Sequence, residues 1–193
     1  MLLLIAFAFI SIFFSFLCSI LEAVLLSITP SFIRIKTKEG KKYAETLANF
    51  KKDIDKPLIA ILTLNTIAHT VGAILVGDQA GKMAAESGYD VNILGINFVG
   101  LVSTVMTLAI LVLSEIIPKT IGATYWKSLG NFTAKSLKII LLLLKYTGVL
   151  WLLMQVTKLV GKSAHVGTMS REEFMALTDA AEKEGVFEDN ETT

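Results

Sequence analysis

The sequence predicts an all-α integral membrane protein with three transmembrane helices, and two observations carry that prediction. Apolar residues gather in four long stretches, three of which reach the roughly 20 residues that cross a bilayer. Basic residues crowd into two of the connections between them. The formal net charge is only +1, so bulk electrostatics gives no reason to expect a nucleic-acid partner.

The first stretch, residues 2–28, carries a single charge, Glu22. No basic n-region precedes it, its apolar run exceeds the usual signal-peptide length, and no small-residue cleavage site follows. Leu17 before Cys18 is too bulky for lipoprotein processing, so a retained helix is expected. A lone cysteine forms no internal disulfide. Residues 31–56 combine helical patterning with the bases Arg34 to Lys56 and predict a short cytosolic hairpin whose lysines face water and lipid headgroups. A second span follows at about 57–77. The connection after it holds Lys82 against Asp78, Glu86 and Asp90, and the third span runs over about 93–117. Lysines 119, 127, 135 and 138 come next. By the positive-inside rule the first and third connections are cytoplasmic, which puts the N-terminus outside and the C-terminus in the cytoplasm of a cell-membrane protein.

The fourth apolar stretch is long enough to span, yet Lys145 interrupts it and Lys135, Lys138, Lys158 and Lys162 flank it. A belt helix over about 136–160, lying along the inner interface with its lysines snorkelling, is expected. With it the membrane domain covers 1–162. Residues 163–193 form an acidic helical connector, with Ser170 and Glu173 as a capping box and Gly185 as its stop. It is expected to lead into a cytosolic region that the sequence does not include.

Ionisable groups inside a span cost roughly 2.5–3.5 kcal/mol on insertion scales and default to function. Glu22 and Glu115 are two such acids, and counting along each span places them at similar depth in the cytoplasmic half. Ser15, Ser19 and Glu22 share a face of the first helix, and Asn65 and His69 lie one turn apart on the second. Pro118 has no N–H and would free the carbonyl of Ser114 beside Glu115. Hydroxyl, amide, carboxylate and carbonyl oxygens are hard-cation ligands suited to Mg²⁺. Plainer roles compete: the serines can bond to their own helix, Glu22 can snorkel or pair with a lysine, and His69 can be a helix–helix hydrogen-bond partner. Glu115 with its proline is the hardest to explain that way.

"CSILEAVLLS" (18–27), "LTLNTIAHT" (62–70) and "SEIIPKTIGA" (114–123) resemble the three signatures of the DUF21 membrane domain of the cyclin M (CNNM)/CorC family of magnesium transport proteins. "SREEFMALTDAAEKEGVFED" (170–189) resembles the acidic helical segment that precedes the family's CBS pair. The resemblance implies a homodimer in the lipid bilayer and Na⁺-coupled export of Mg²⁺ held between the helices. Any ATP dependence would reside in the CBS domains. The expected ligands are Ser19, Asn65 and Glu115, joined by Ser15, Ser114 and Glu22, with Pro118 as the kink and His69 and Lys119 on the pathway. Ile20 stands where the family often has glycine, and His69 where it often has asparagine. The alternative is a non-transporting regulator or cation sensor that scaffolds a partner channel. An intramembrane enzyme is disfavoured, because no nucleophile–base pair or HExxH motif is visible.

Overall fold

The computed structural model describes residues 1–87 and 97–160, with the side chains of Ser87, Leu150 and 156–160 excepted. The acidic connector, with Ser170, Glu173 and Gly185, lies outside the described residues, as does the start of the third span. Met1–Met154 is one compact unit. Of the second unit, Gln155–Thr193, residues 155–160 are described, as the end of a helix.

Every regular element among the described residues is helical. Helix α1 (Leu2–Ser27) and α4 (Asp55–Ser87) are the first two spans, and the third is a composite of α5 (Phe98–Ala109), a π-helical segment (Ile110–Ile116) and α6 (Ile117–Thr124). Among the described residues three helices are thus long and apolar enough to cross a membrane. Their outward side chains say what solvent they meet: Phe9, Phe13, Ile74, Val105 and Leu108 are each more than half exposed. In water such a surface would drive aggregation; in hydrocarbon it costs nothing. The protein is a multi-pass membrane protein.

Between α1 and α4 stand α2 (Pro30–Lys38) and α3 (Lys42–Lys52), the expected hairpin. Its start is written locally: Pro30 occupies the first turn and the Thr29 hydroxyl accepts from Phe32 N–H at 3.3 Å. Its turn needs a left-handed residue, which Gly40 supplies at φ 72°. Lys51 Nζ donates to the Leu26 carbonyl at 3.3 Å near the end of α1, and burial holds its pKa below the ordinary lysine value.

The fourth apolar stretch departs from expectation. In place of one helix over 136–160 there are two, α7 (Trp126–Tyr146) and α8 (Val149–Val160), broken where Gly148 takes φ 72°. Helix α8, at 12 residues, is only about 18 Å long, well short of the roughly 30 Å hydrocarbon core. Leu137, Ile140 and Leu144 of α7 pack into one core with Cys18, Leu21, Leu25, Ala60 and Ile61. A second core gathers Ile20, Val24, Ile28, Phe32 and Leu47, and Phe32 meets Trp126 edge-on with ring centroids 5.1 Å apart. Helix α7 therefore straps the hairpin to the C-terminal half of α1 and the N-terminal part of α4.

Candidate functional site

The antiparallel seam of α1 and α4 is where the polar residues meet. Ser11 Oγ donates to the Ala68 carbonyl at 2.8 Å, and Ser15 Oγ hydrogen-bonds His69 Nε2. One turn further along each helix stand Ser19 and Asn65. Ser11, Ser15 and Ser19 are all buried. The helices approach closely here because Gly72 faces Ser11, and a Cβ at that position would overlap the serine side chain. Neither Ser11 nor Gly72 was singled out from the sequence. Ser11 continues the i, i+4 series of Ser15 and Ser19, which is the signal that could have found it. Gly77 and Gly81, spaced as a G-x-x-x-G pair near the end of α4, have open space around them in the protomer.

Hydroxyls on membrane helices normally satisfy themselves on the carbonyl one turn back. Thr63, Ser103, Thr104, Thr107 and Thr120 all do so, at 2.7–2.9 Å. Ser114, fully buried, does so too, on Ile110 at 2.7 Å. Ser19 does not. Its Oγ and the Oδ1 of Asn65 are buried with no partner, at matching positions on the two helices. Among the described residues a third such atom, Thr133 Oγ1, is on α7. An unpaired buried oxygen costs about 1–3 kcal/mol, so two at one level of one seam form an acceptor-rich spot.

The third span adds the charge. Around Glu115 its backbone is π-helical, and Ile117 N–H bonds to Val112 O, five residues back. This revises the account of Pro118. With pairing five residues back, the missing N–H lies opposite the carbonyl of Leu113, whereas pairing four back would have freed that of Ser114. The Glu115 side chain is half-buried and has no hydrogen-bond or ion-pair partner among the described residues.

Depth is also revised. Gly122 sits against α1 so tightly that a Cβ would lie 2.8 Å from Ala23 Cβ and 2.9 Å from the Ile20 carbonyl. Glu115 lies about two turns before Gly122, hence near the level of Ser15 on α1, short of Ser19 and well short of Glu22. Counting residues misjudged this because the third helix continues beyond its apolar run to Thr124. Glu22 instead pairs with Lys119 at 3.6 Å. That contact joins two of the expected site residues to each other, one level below the seam.

The spot therefore has neutral oxygens from α1 and α4, and the π segment that packs on α1 carries an unpaired carboxylate. These hydroxyl, amide and carboxylate oxygens are hard ligands. Ser15 against His69 has the look of a nucleophile and base, which the sequence did not reveal. Among the described residues the imidazole has no carboxylate partner, and the pair serves as an interhelical hydrogen bond.

The family model for the cyclin M transmembrane N-terminal domain matches residues 5–191. The chain is also similar to the UPF0053 protein sll1254 of Synechocystis sp., with 29% identity over 191 residues, covering 99% of this chain and 52% of that protein. It thus spans about half the length of the curated relative that it matches. With three spans, the π segment at its third signature and a match over nearly its whole length, the chain belongs to the cyclin M transmembrane N-terminal domain family.

Proposed function

We propose that this domain carries Mg²⁺ across the membrane, as Na⁺-coupled export by a homodimer, and that Ser19, Asn65 and Glu115 hold the ion. The observation that supports this most is Ser19. A serine on a helix can nearly always turn to its own backbone, so a buried one left unpaired at the level of an unpaired amide oxygen offers two oxygens to a cation. Glu115 supplies the charge that offsets ion dehydration, which Mg²⁺ undergoes reluctantly. Pro118, with no N–H to give, leaves the Leu113 carbonyl of the π segment available as a further oxygen. Glu22 and Lys119 form a charged pair at the inner exit.

The test is Mg²⁺ flux from proteoliposomes under an imposed Na⁺ gradient, for wild type and Glu115→Gln. Deleting one partner of a buried charge pair costs about 2 kcal/mol or more, so binding should weaken on the order of 30-fold and flux should collapse. A folded Glu115→Gln that binds Mg²⁺ as wild type does would refute the site. A wild type that binds Mg²⁺ but passes none would favour a sensor or regulator.

A further inference from the structure

Two cavities lie side by side along one stripe of α7 and share Lys138. The first, ≈ 460 Å³, opens between the α2–α3 turn and α7, where Lys41, Lys42, Lys135 and Lys138 converge with Tyr43 and Asn131. The second, ≈ 600 Å³, continues between α7 and α8 and is lined by Lys56 and Lys145 together with Leu141, Leu142, Trp151 and Met154. Both have the size of small-ligand sites. Among the described residues no acid lines either cavity. Three carboxylates adjoin the lining in sequence without being part of it: Glu39, taken by Lys36 at 2.8 Å, Glu45 beside Thr46, and Asp55 beside Lys56.

Helix α3, 11 residues long, begins at the first cavity with Lys41 as its N-cap; no side chain caps its first N–H groups, and Glu45 in its first turn already offsets part of the positive end of its dipole. The attraction for an anion is therefore carried by the lysines: four ammonium groups, none in an ion pair among the described residues, fit a phosphate. The adjoining cavity supplies what a free phosphate has no use for, an apolar lane of leucine, tryptophan and methionine edged by lysines.

We propose that these cavities are one binding site for an anionic phospholipid, its headgroup phosphate among Lys41, Lys42, Lys135 and Lys138 and an acyl chain along Leu141, Trp151 and Met154. The lipid bridges the hairpin, α7 and α8, the elements that strap the C-terminal half of α1 and the N-terminal part of α4. It thereby couples membrane composition to the stability of the bundle.

The full 193-residue chain in mild detergent is incubated with phosphatidylglycerol or phosphatidylcholine, and retained lipid is counted by native mass spectrometry. Wild type should retain phosphatidylglycerol in preference to phosphatidylcholine. Lys135→Gln/Lys138→Gln should weaken that retention on the order of 30-fold, about fivefold for each lysine. Lys135→Arg/Lys138→Arg should retain it. Lys38→Gln/Lys52→Gln, which removes equal charge from exposed positions outside both cavities, should leave it unchanged. Equal loss in both Gln pairs would mean diffuse attraction and overturn the site, as would equal retention of the two lipids. Displacement of the lipid by glycerol phosphate at comparable concentration would show a plain phosphate site and sink the role given to the apolar lane. Loss in the Arg pair as well would indicate damage to α7 packing and count against the proposal.

Discussion

Replacing Ser19 by alanine should move stability in opposite directions depending on whether Mg²⁺ is present. The Ser19 hydroxyl is fully buried and has no partner, and carrying an unpaired buried oxygen costs about 1–3 kcal/mol. Removing it leaves a methyl-sized side chain in nearly the same volume. Without Mg²⁺, Ser19→Ala should therefore unfold at a higher temperature than wild type, by about 2–4 °C for each kcal/mol relieved. A bound ion stabilises by RT ln(1 + [L]/Kd), about 2.7 kcal/mol at a hundred times Kd, which for a chain of this size is a rise of roughly 5–10 °C. Wild type should show that rise and Ser19→Ala should lose most of it, so the two melting curves cross as Mg²⁺ is added. The assay is thermal unfolding in mild detergent, followed by helical circular dichroism across an Mg²⁺ titration. A variant that is less stable than wild type without Mg²⁺ would show that the hydroxyl has a structural partner. A variant that keeps the full Mg²⁺ response would show that Ser19 is no ligand. Either result breaks the reasoning.

Three further outcomes are expected. Gly72→Val should drive α4 away from Ser11 and destabilise by about 1–3 kcal/mol, whereas Gly77→Ala, with open space around it, should be neutral or mildly stabilising within the protomer; equal effects in detergent melts would contradict the close approach at Gly72. A double-mutant cycle on Glu22→Gln and Lys119→Gln should give a coupling no larger than about 1 kcal/mol, because the pair is 3.6 Å apart with the lysine about half exposed; strong coupling between Glu22 and Mg²⁺ binding would instead return Glu22 to the ligand set. A cysteine placed by Lys52→Cys should react with an impermeant maleimide only from the cytoplasmic side, since the basic hairpin determines orientation; labelling from outside would reverse the topology.

The number of spans, the hairpin and the residue types of the candidate site were readable from the sequence, because each is a local property. A run of apolar residues has no other comfortable solvent than lipid, lysines cannot enter that solvent, and Pro118 cannot donate a hydrogen bond whatever surrounds it. The partners of those residues were not readable. Whether Ser15 turns to its own helix or to His69, and whether Glu22 faces a cation or Lys119, depends on the register of one helix against another. That register is decided by the few contacts at Gly72 and Gly122, where the absence of a Cβ lets backbones meet. The break at Gly148 was hidden because a glycine in an apolar run is compatible with a continuous helix until packing of α7 asks for a turn. The π segment was hidden for a related reason: a proline announces a missing hydrogen bond, but packing against α1 decides which carbonyl is left without it. The ingredients of the site are thus sequence properties. Its level in the bundle, and the two oxygens left without partners there, belong to the tertiary structure alone, since burial and pairing exist only between helices.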